Sequence, residues 1–358
     1  MRAVITRNGK LVVDDMVQPL PKAGQILCKT LVCGICGSDL HALDHYDHMI
    51  DVSQRLSGIS HMKKGHDTVF GHEFCCEVIE RGPQTQNLYK PGTRIVSVPG
   101  IVTPEGFETV GYSSGIPGGF AQNIILTEAM VLAVPNGLSS EHAALTEPLA
   151  VGEHAVVKAE PTSEHVLMVV GCGPVGLAVI SALKMRGLGP IIASDFSPVR
   201  RAAAVAMGAD RVIDPAEVSP HASWAEFGVP ANRADAFFAE AQGKSVKRAL
   251  IFECVGVPGI LQALAEAAPT GSRILVAGVC MQADAVEHLV FISKEIELRY
   301  VVGYSPQEFA ASLTNLAEGR TRYSEIITGV VNLAQTPEAF VQLQNDKSQI
   351  KIMVAPNA

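Results

Sequence analysis

Two cysteines at metal-ligand spacing, Cys33 and Cys36, stand in the stretch LVCGICGSDLH at 31–41, followed by a serine, an acid and a histidine. A structural zinc needs four Cys or His ligands, usually as two close pairs, and the sequence has no second C-x-x-C. A thioredoxin-like redox pair would begin a helix in a βαβ unit, whereas Cys33 ends a β-type run. The pattern therefore favours a catalytic zinc, which takes three protein ligands from separate segments and keeps one position open.

Further donors for such a metal occur elsewhere in the sequence. Cys36, the stretch GHE at 71–73 and Glu147 in LTEPLAVGEHA offer thiol, imidazole and carboxylate groups. Spacing alone does not select these residues from 11 histidines and 36 acidic residues.

A second motif, GCGPVG at 171–176, follows the apolar run HVLMVV and opens a predicted helix. Glycines at this spacing let the turn close, let a pyrophosphate approach the backbone, and let the helix pack on the strand. The alternative is a structural turn without a ligand. The residues predicted to bind a dinucleotide here are Gly171, Gly173, Pro174, Val175 and Gly176.

Asp195 ends the next predicted strand, about 20 residues after the motif, where a carboxylate can accept hydrogen bonds from a ribose diol. An acid at this position repels a 2′-phosphate, which favours NAD over NADP, although Arg200 and Arg201 could soften the preference. Arg200, Val255 and Val276 are also predicted to lie in the cofactor site.

The 358 residues exceed what one hydrophobic core usually organises, so we expect two domains. Two different sequence patterns, one in each part of the chain, support this expectation. Up to about residue 135, short β-rich runs separated by Gly, Pro, Asn and Asp predict a barrel or sandwich. Later, apolar strands alternate with helical stretches at 174–186 and 197–207, as in a doubly wound parallel sheet. We predict a catalytic domain at 1–149 and 293–358, and a nucleotide-binding domain at 150–292.

Two connections are also predicted. The stretch 139–160 begins with serine as a helix N-cap and reads as one or two helices interrupted at Pro148. The tail contains a helix beginning near Pro306 and a last apolar run, IKIMVAP, which is expected to pack on the first domain.

Composition excludes several classes of function. The net charge is −8, and the sequence has neither a run of like charges nor a basic stripe, so we expect no nucleic-acid partner. The sequence also lacks a long uncharged apolar run, so we expect no membrane partner. Eight cysteines, among them adjacent Cys75 and Cys76, argue against a disulfide framework and for a reducing, cytoplasmic compartment. Small-molecule chemistry is the remaining expectation.

Several motifs in one order carry a family resemblance that spans essentially the whole chain. CGICGSDLH, VFGHEFCCEVIERG, YKPGTRIVSVP, GGFAQNIIL, LTEPLAVGEHAV, VVGCGPVGL and FECVG resemble those of zinc-dependent medium-chain dehydrogenases. The resemblance is strongest to the branch with sorbitol and 2,3-butanediol dehydrogenases. It implies a GroES-like β-rich catalytic domain, a Rossmann NAD-binding domain, and a homodimer or homotetramer.

The resemblance also implies a role for each site residue. Cys36 and His72 would bind the catalytic zinc, with Glu147 at the position where this branch carries glutamate. Glu73 matches an inner carboxylate that binds zinc directly or through water, so the choice between the two glutamates as direct ligand stays open. Asp39 matches the acid that orients the ligating imidazole.

The implied reaction is oxidation of a secondary alcohol or diol by NAD, or reduction of the matching ketone. Zinc would stabilise the alkoxide, Ser38 would take the proton, and the cofactor ribose and His41 would carry it to solvent. Cys33 would be a buried thiol. Two rivals share the fold: a zinc-free NADPH reductase of activated double bonds, and a non-catalytic NAD-binding protein.

Three departures from the family pattern add expectations. The stretch 101–119 lacks the four cysteines of a structural zinc, so one zinc per chain is predicted. The 35 residues between Cys36 and His72 suggest an inserted loop at the substrate mouth, a lid rather than a second metal cluster of His41, His45 and His48. Its other histidines are His61 and His66. Gly303 precedes Tyr304 where the sorbitol enzyme has arginine, which favours a smaller or more apolar substrate than a polyol.

Overall fold

The computed structural model describes residues 1–103, 106–135 and 137–358, and its contacts divide the chain into two compact units. The first unit comprises Met1–Glu147, Phe309–Gly319 and Ile326–Ala358, and the second comprises Pro148–Glu308 and Arg320–Glu325. The sequence places the end of the second domain at residue 292. The structure differs because a sixth strand, Glu297–Tyr300, joins the parallel sheet of the second unit.

Seventeen strands lie in the described part of the chain. They are β1 (Arg2–Arg7), β2 (Lys10–Asp15), β3 (Gln25–Gly34), β4 (Glu73–Arg81), β5 (Arg94–Ser97), β6 (Gly100–Thr103), β7 (Gly106–Thr109), β8 (Asn123–Thr127), β9 (Val131–Ala133), β10 (His165–Val170), β11 (Ile191–Ser194), β12 (Arg211–Ile213), β13 (Arg248–Glu253), β14 (Arg273–Val276), β15 (Glu297–Tyr300), β16 (Ile327–Val331) and β17 (Lys351–Val354).

Eleven α-helices lie in the same described residues. They are α1 (Gly37–Asp44), α2 (Tyr46–Ser57), α3 (Ser140–Ala144), α4 (Thr146–Ala159), α5 (Pro174–Met185), α6 (Pro198–Met207), α7 (Arg233–Ala241), α8 (Ile260–Ala267), α9 (His288–Ser293), α10 (Pro306–Ala317) and α11 (Thr336–Asn345). None of them is both long enough and apolar enough to cross a membrane.

The first unit is built on a seven-stranded sheet in the order β16-β17-β3-β4-β5-β9, with β8 also paired to β3. Two small hairpins, β1-β2 and β6-β7, accompany it. The last apolar run of the chain forms β17, which pairs antiparallel with β3. The prediction that this run packs on the first domain is thus confirmed. The long strand β3 therefore touches three partners and carries Cys33 at its buried end.

The second unit contains a six-stranded sheet in the order β12-β11-β10-β13-β14-β15, with every neighbouring pair parallel. This is the 3-2-1-4-5-6 order of dinucleotide-binding folds, whose ligands bind at the carboxyl ends of the strands where the order reverses. The predicted doubly wound sheet is thus confirmed. The central strand β10 buries Val166, Leu167, Met168 and Val169 completely, because both faces of a parallel sheet are covered.

Of two local predictions for 139–160, the serine N-cap is confirmed and the break at Pro148 is wrong. Ser139 caps α3 by accepting a hydrogen bond from the His142 backbone, but the helices part at Leu145 and not at Pro148. Pro148 lies in the first turn of α4, where a helix tolerates the missing N–H.

The inserted stretch is helical rather than a loop, since α1 and α2 occupy 37–57. Tyr46, Met49 and Ile50 follow helical spacing within α2 and pack on the core of the first unit. The mixed polar composition belongs to the opposite, exposed face of these helices.

Candidate metal and cofactor sites

Adjacent strands of the first unit set the geometry of the candidate metal site. Gly34 near the end of β3 pairs with Glu73 at the start of β4 on one side and with Met353 of β17 on the other. A Cβ at position 34 would overlap the Glu73 carboxylate, so only glycine leaves room for that side chain across the sheet. Two residues after the strand ends, Cys36 is the N-cap of α1.

This arrangement brings together Cys36, His72 and Glu73, which offer one ligand atom each within 4.8 Å of one another. His72 and Glu73 are buried and Cys36 is partly exposed. A thiol, an imidazole and a carboxylate form a donor set that suits zinc. Glu147 is buried but lies outside this group of three.

Lys351, the first residue of β17, donates hydrogen bonds to both oxygens of the Glu73 carboxylate. Its Nζ donates to Glu73 Oε1 at 2.8 Å, to Glu73 Oε2 at 2.6 Å and to the Ile35 carbonyl at 2.9 Å. Both side chains of this ion pair are fully buried. Burial by itself lowers the pKa of Lys351, but the charge of Glu73, helped by Cys36 and Glu147, raises it above its ordinary value.

Asp39 connects the two segments that carry Cys36 and His72. Its Oδ2 accepts the Cys36 backbone N–H at 3.0 Å, and its Oδ1 lies 3.4 Å from His72 Nδ1. Among the described residues, His72 Nδ1 has no hydrogen bond of good geometry. Burial lowers the pKa of His72, yet Asp39 and Cys36 together raise it well above its ordinary range. With Nδ1 turned to Asp39, Nε2 is the ring nitrogen left for a metal.

The predicted relay residues lie on the first turns of α1. Ser38 and His41 are three residues apart, a spacing that puts side chains on one face of a helix. Burial, and then the charge of His45, lower the pKa of His41. Tyr112 Oη lies 2.8 Å from Ser38 Oγ and 3.1 Å from Asp39 Oδ1.

Cys33 behaves as a core residue. It is fully buried, and burial raises the pKa of its thiol well above the ordinary value. The second cysteine of the C-x-x-C pair is thus the one that joins the candidate metal ligands.

Three histidines of the inserted stretch line a cavity of about 540 Å³. His45, His48 and His66 face it, together with Tyr46 and Lys64. Within the described residues, no group of three potential ligands at metal-binding distance includes them, whereas Cys36, His72 and Glu73 do form one.

The candidate cofactor site lies in the second unit, at the turn from β10 into α5. A Cβ at Gly176 would overlap the Gly171 carbonyl oxygen, so the helix can pack this closely on the strand only with glycine. Around Gly173, no atom of the described residues comes within 4 Å of a Cβ built there. This opening is what the approach of a pyrophosphate to the backbone requires. Pro174 and Val175 form the first turn of α5.

Asp195 lies directly after β11 and connects to the glycine turn. Its Oδ2 accepts the Cys172 backbone N–H at 2.8 Å, and its Oδ1 accepts that of Ser197 at 2.7 Å. Arg201 is engaged by Asp214 at 2.8 Å and by the Asp195 and Phe196 carbonyls. Arg200, which is also predicted to lie in the cofactor site, is in the first turn of α6.

Val255 and Val276 also lie at the carboxyl edge of the parallel sheet, after β13 and at the end of β14. The buried Glu253 fixes the first of these loops, because its Oε1 accepts the backbone N–H groups of Val255 and Gly256. The structure thus gathers the glycine turn, Asp195, Val255 and Val276 at one edge of one sheet.

Sequence reasoning missed two residues, Lys351 and Tyr112. A lysine inside the apolar run IKIMVAP is a usable signal, because a lysine in a buried strand needs an acidic partner. Tyr112 follows the hairpin β6-β7 in a glycine-rich turn, and nothing in its sequence context singles it out.

Comparisons with known proteins agree with this arrangement. Residues 22–136 match the family described as alcohol dehydrogenase GroES-like domain, and residues 174–318 match that described as zinc-binding dehydrogenase. The predicted GroES-like and Rossmann domains are thereby confirmed.

Individual proteins match over the full length. The chain is 30% identical over 368 residues to (R,R)-butanediol dehydrogenase of Bacillus subtilis (strain 168), covering 100% of both chains. It is 26% identical to sorbitol dehydrogenase of the same strain, covering 100% of this chain and 98% of the relative. A crystal structure of 2R,3R-butanediol dehydrogenase from Bacillus subtilis superimposes with a TM-score of 0.75 at 28% identity, covering 99% of each chain.

Proposed function

Since the chain belongs to the zinc-type alcohol dehydrogenase family, we propose that it transfers a hydride from a secondary alcohol or vicinal diol to NAD, reversibly. The observation that carries the proposal is the convergence of Cys36, His72 and Glu73 within 4.8 Å, with Ser38 and Asp39 beside them. The mixed donor set fits a catalytic zinc, with one zinc per chain.

Cys36, His72 and one carboxylate would hold the zinc, which when bound supplies a Lewis acid that acidifies a substrate hydroxyl. Glu73 is the carboxylate favoured by distance, and Glu147 is the alternative. Lys351 keeps Glu73 oriented, and Asp39 holds the His72 ring in the tautomer that exposes Nε2.

Ser38 accepts the proton of the substrate hydroxyl as it gives up its own hydroxyl proton, and His41, on the same face of α1, takes that proton on to solvent. The lowered pKa of His41 keeps its imidazole neutral at pH 7, ready to accept a proton. The overall change balances as alcohol plus NAD giving ketone, NADH and one proton.

The glycine turn and Asp195 would hold the cofactor, and NAD when bound accepts the hydride. Support for NAD over NADP comes from the Asp195 carboxylate and from Arg201, which is already paired with Asp214. Val255 and Val276, with Arg200, would flank the cofactor at the sheet edge.

The proposed substrate class follows from Gly303, which replaces a polar anchor before Tyr304, and from relatives named for butanediol. The test measures NADH or NADPH formation by purified protein over a panel of secondary alcohols, vicinal diols and polyols. We expect NAD-dependent oxidation with small vicinal diols or acyloin-related alcohols best. Reduction of activated double bonds with NADPH, without alcohol oxidation, would contradict the proposal.

A further inference from the structure

Tyr112 is the one described side chain whose oxygen lies within hydrogen-bond distance of both the candidate proton acceptor and the acid behind the candidate zinc ligand. Its hydroxyl lies 2.8 Å from Ser38 Oγ and 3.1 Å from Asp39 Oδ1. Its ring packs against His72 and Phe70, with centroid distances of 5.3 and 5.9 Å. The turn that carries it is pressed on the GHE segment, since a Cβ at Gly111 would lie 2.9 Å from the Gly71 oxygen.

One tyrosine hydroxyl carries one proton, and an ionised carboxylate can only accept. Tyr112 is the donor in both contacts, so its one proton is shared between Ser38 Oγ and Asp39 Oδ1. Ser38 Oγ accepts from Tyr112 with one lone pair and keeps the other for a further donor. Asp39 Oδ1 is in turn held between Tyr112 and His72 Nδ1.

We propose that Tyr112 is a positioning residue for alcohol oxidation: it holds Ser38 Oγ so that the remaining lone pair can face the substrate hydroxyl, and it fixes the Asp39 carboxylate that orients His72. This inference rests on the proposed function. Tyr112 lies within the 101–119 stretch, which lacks the four cysteines of a structural zinc, so this part of the chain acquires a different task in the site.

The test compares Tyr112→Phe with Tyr46→Phe. Both substitutions delete only a hydroxyl and keep a ring against Phe70, but Tyr46 bonds to Thr68 Oγ1 at 2.6 Å and not to the relay. We expect Tyr112→Phe to lower kcat about 10-fold with the KM for NAD unchanged. We also expect it to weaken zinc retention against a chelator about 10-fold, while Tyr46→Phe changes neither quantity.

A double variant tests whether Tyr112 affects turnover through Ser38. If Tyr112 acts on the proton through Ser38, adding Tyr112→Phe to Ser38→Ala lowers kcat no further. An additive loss in the double variant, or zinc retention equal to that of Tyr46→Phe, overturns the inference.

Failure of the proposed function has a different signature. If the wild-type protein retains zinc but oxidises no alcohol in the panel, the proposed function fails, and zinc retention alone decides the role of Tyr112. If wild-type turnover is present and Tyr112→Phe matches Tyr46→Phe, only the Tyr112 inference fails.

Discussion

Lys351 and Glu73 form a fully buried ion pair in which all three ammonium donors find an oxygen, two of them on Glu73. Such a pair is costly to break from one side, because the remaining charge stays buried without a partner. The same contact holds a candidate zinc ligand in place, so stability and chemistry depend on one lysine.

We predict that Lys351→Met lowers the free energy of unfolding by about 3–5 kcal/mol at pH 8, because the Glu73 carboxylate is left unpaired. The measurement is urea unfolding of chelator-treated protein followed by circular dichroism. Adding Glu73→Gln to this variant removes the stranded charge and should recover part of the loss. A loss below about 1 kcal/mol in the single variant would show that the pair does not matter for folding.

The negative charge of Asp195 is proposed to set the preference for NAD over NADP. We predict that Asp195→Ser lowers the ratio of kcat/KM for NAD to that for NADP by about 100-fold, because the carboxylate that repels a 2′-phosphate is gone. Asp210→Ser is the matched control, since Asp210 accepts the Ile191 N–H at the opposite end of the same strand. An unchanged cofactor ratio in Asp195→Ser would refute this role.

At the level of single residues, the candidate metal ligands could be predicted from the sequence, but the side chains that hold them in place could not. Cys36, His72 and Glu73 were predicted as ligands, and the structure brings the three together. Glu147, also predicted as a ligand, is buried in the first turn of α4 and is not a member of this group of three. Lys351 reaches Glu73 from 278 residues away, and Tyr112 reaches Ser38 from 74, which only the fold determines.

At the scale of elements, periodicity predicted apolar strands of the parallel sheet and the helices α5 and α6, but it did not predict α7, α8 or α9. The predicted helical stretches 174–186 and 197–207 correspond to α5 and α6. Each of these helices begins and ends next to turn residues. The insertion shows where composition misleads. Its polar residues suggest a loop, but Tyr46, Met49 and Ile50, at helical spacing within α2, define a face that packs on the core.

The 3-10 helix Pro220–Ser223 contains a pH-sensitive contact. The Trp224 indole N–H donates to His221 Nδ1 at 3.1 Å, which requires that nitrogen to be unprotonated. Burial, and then the charge of Lys294, lower the pKa of His221 from 6.5 to about 4. The unfolded chain therefore binds this proton more readily than the folded one.

We predict that this contact stabilises the second unit fully above pH 6.5 and that roughly 3 kcal/mol is lost as the pH falls from 6.5 towards 4. Trp224 is the single tryptophan of the chain, so its fluorescence follows the unfolding of its own unit. His221→Gln cannot titrate and should flatten this part of the stability profile. An identical pH dependence in the two proteins would contradict the assignment.

At the scale of the whole molecule, the sequence predicted a β-rich domain, a dinucleotide-binding domain and a tail that returns to the first. The boundary near residue 292 was set too early because the exposed edge strand β15 lacks the continuous apolar run of the inner strands. Burial on both faces makes inner parallel strands conspicuous, whereas an edge strand alternates and is easily assigned elsewhere.

We propose that a zinc held by Cys36, and not by the neighbouring Cys33, supports alcohol oxidation. Comparing Cys36→Ser with Cys33→Ser for bound zinc and for alcohol-dependent NADH formation tests this assignment. We expect Cys36→Ser to lose the zinc and at least about 100-fold in turnover, while folded Cys33→Ser keeps one zinc per chain and its activity. Full turnover in zinc-free Cys36→Ser, or zinc loss specific to folded Cys33→Ser, would contradict it.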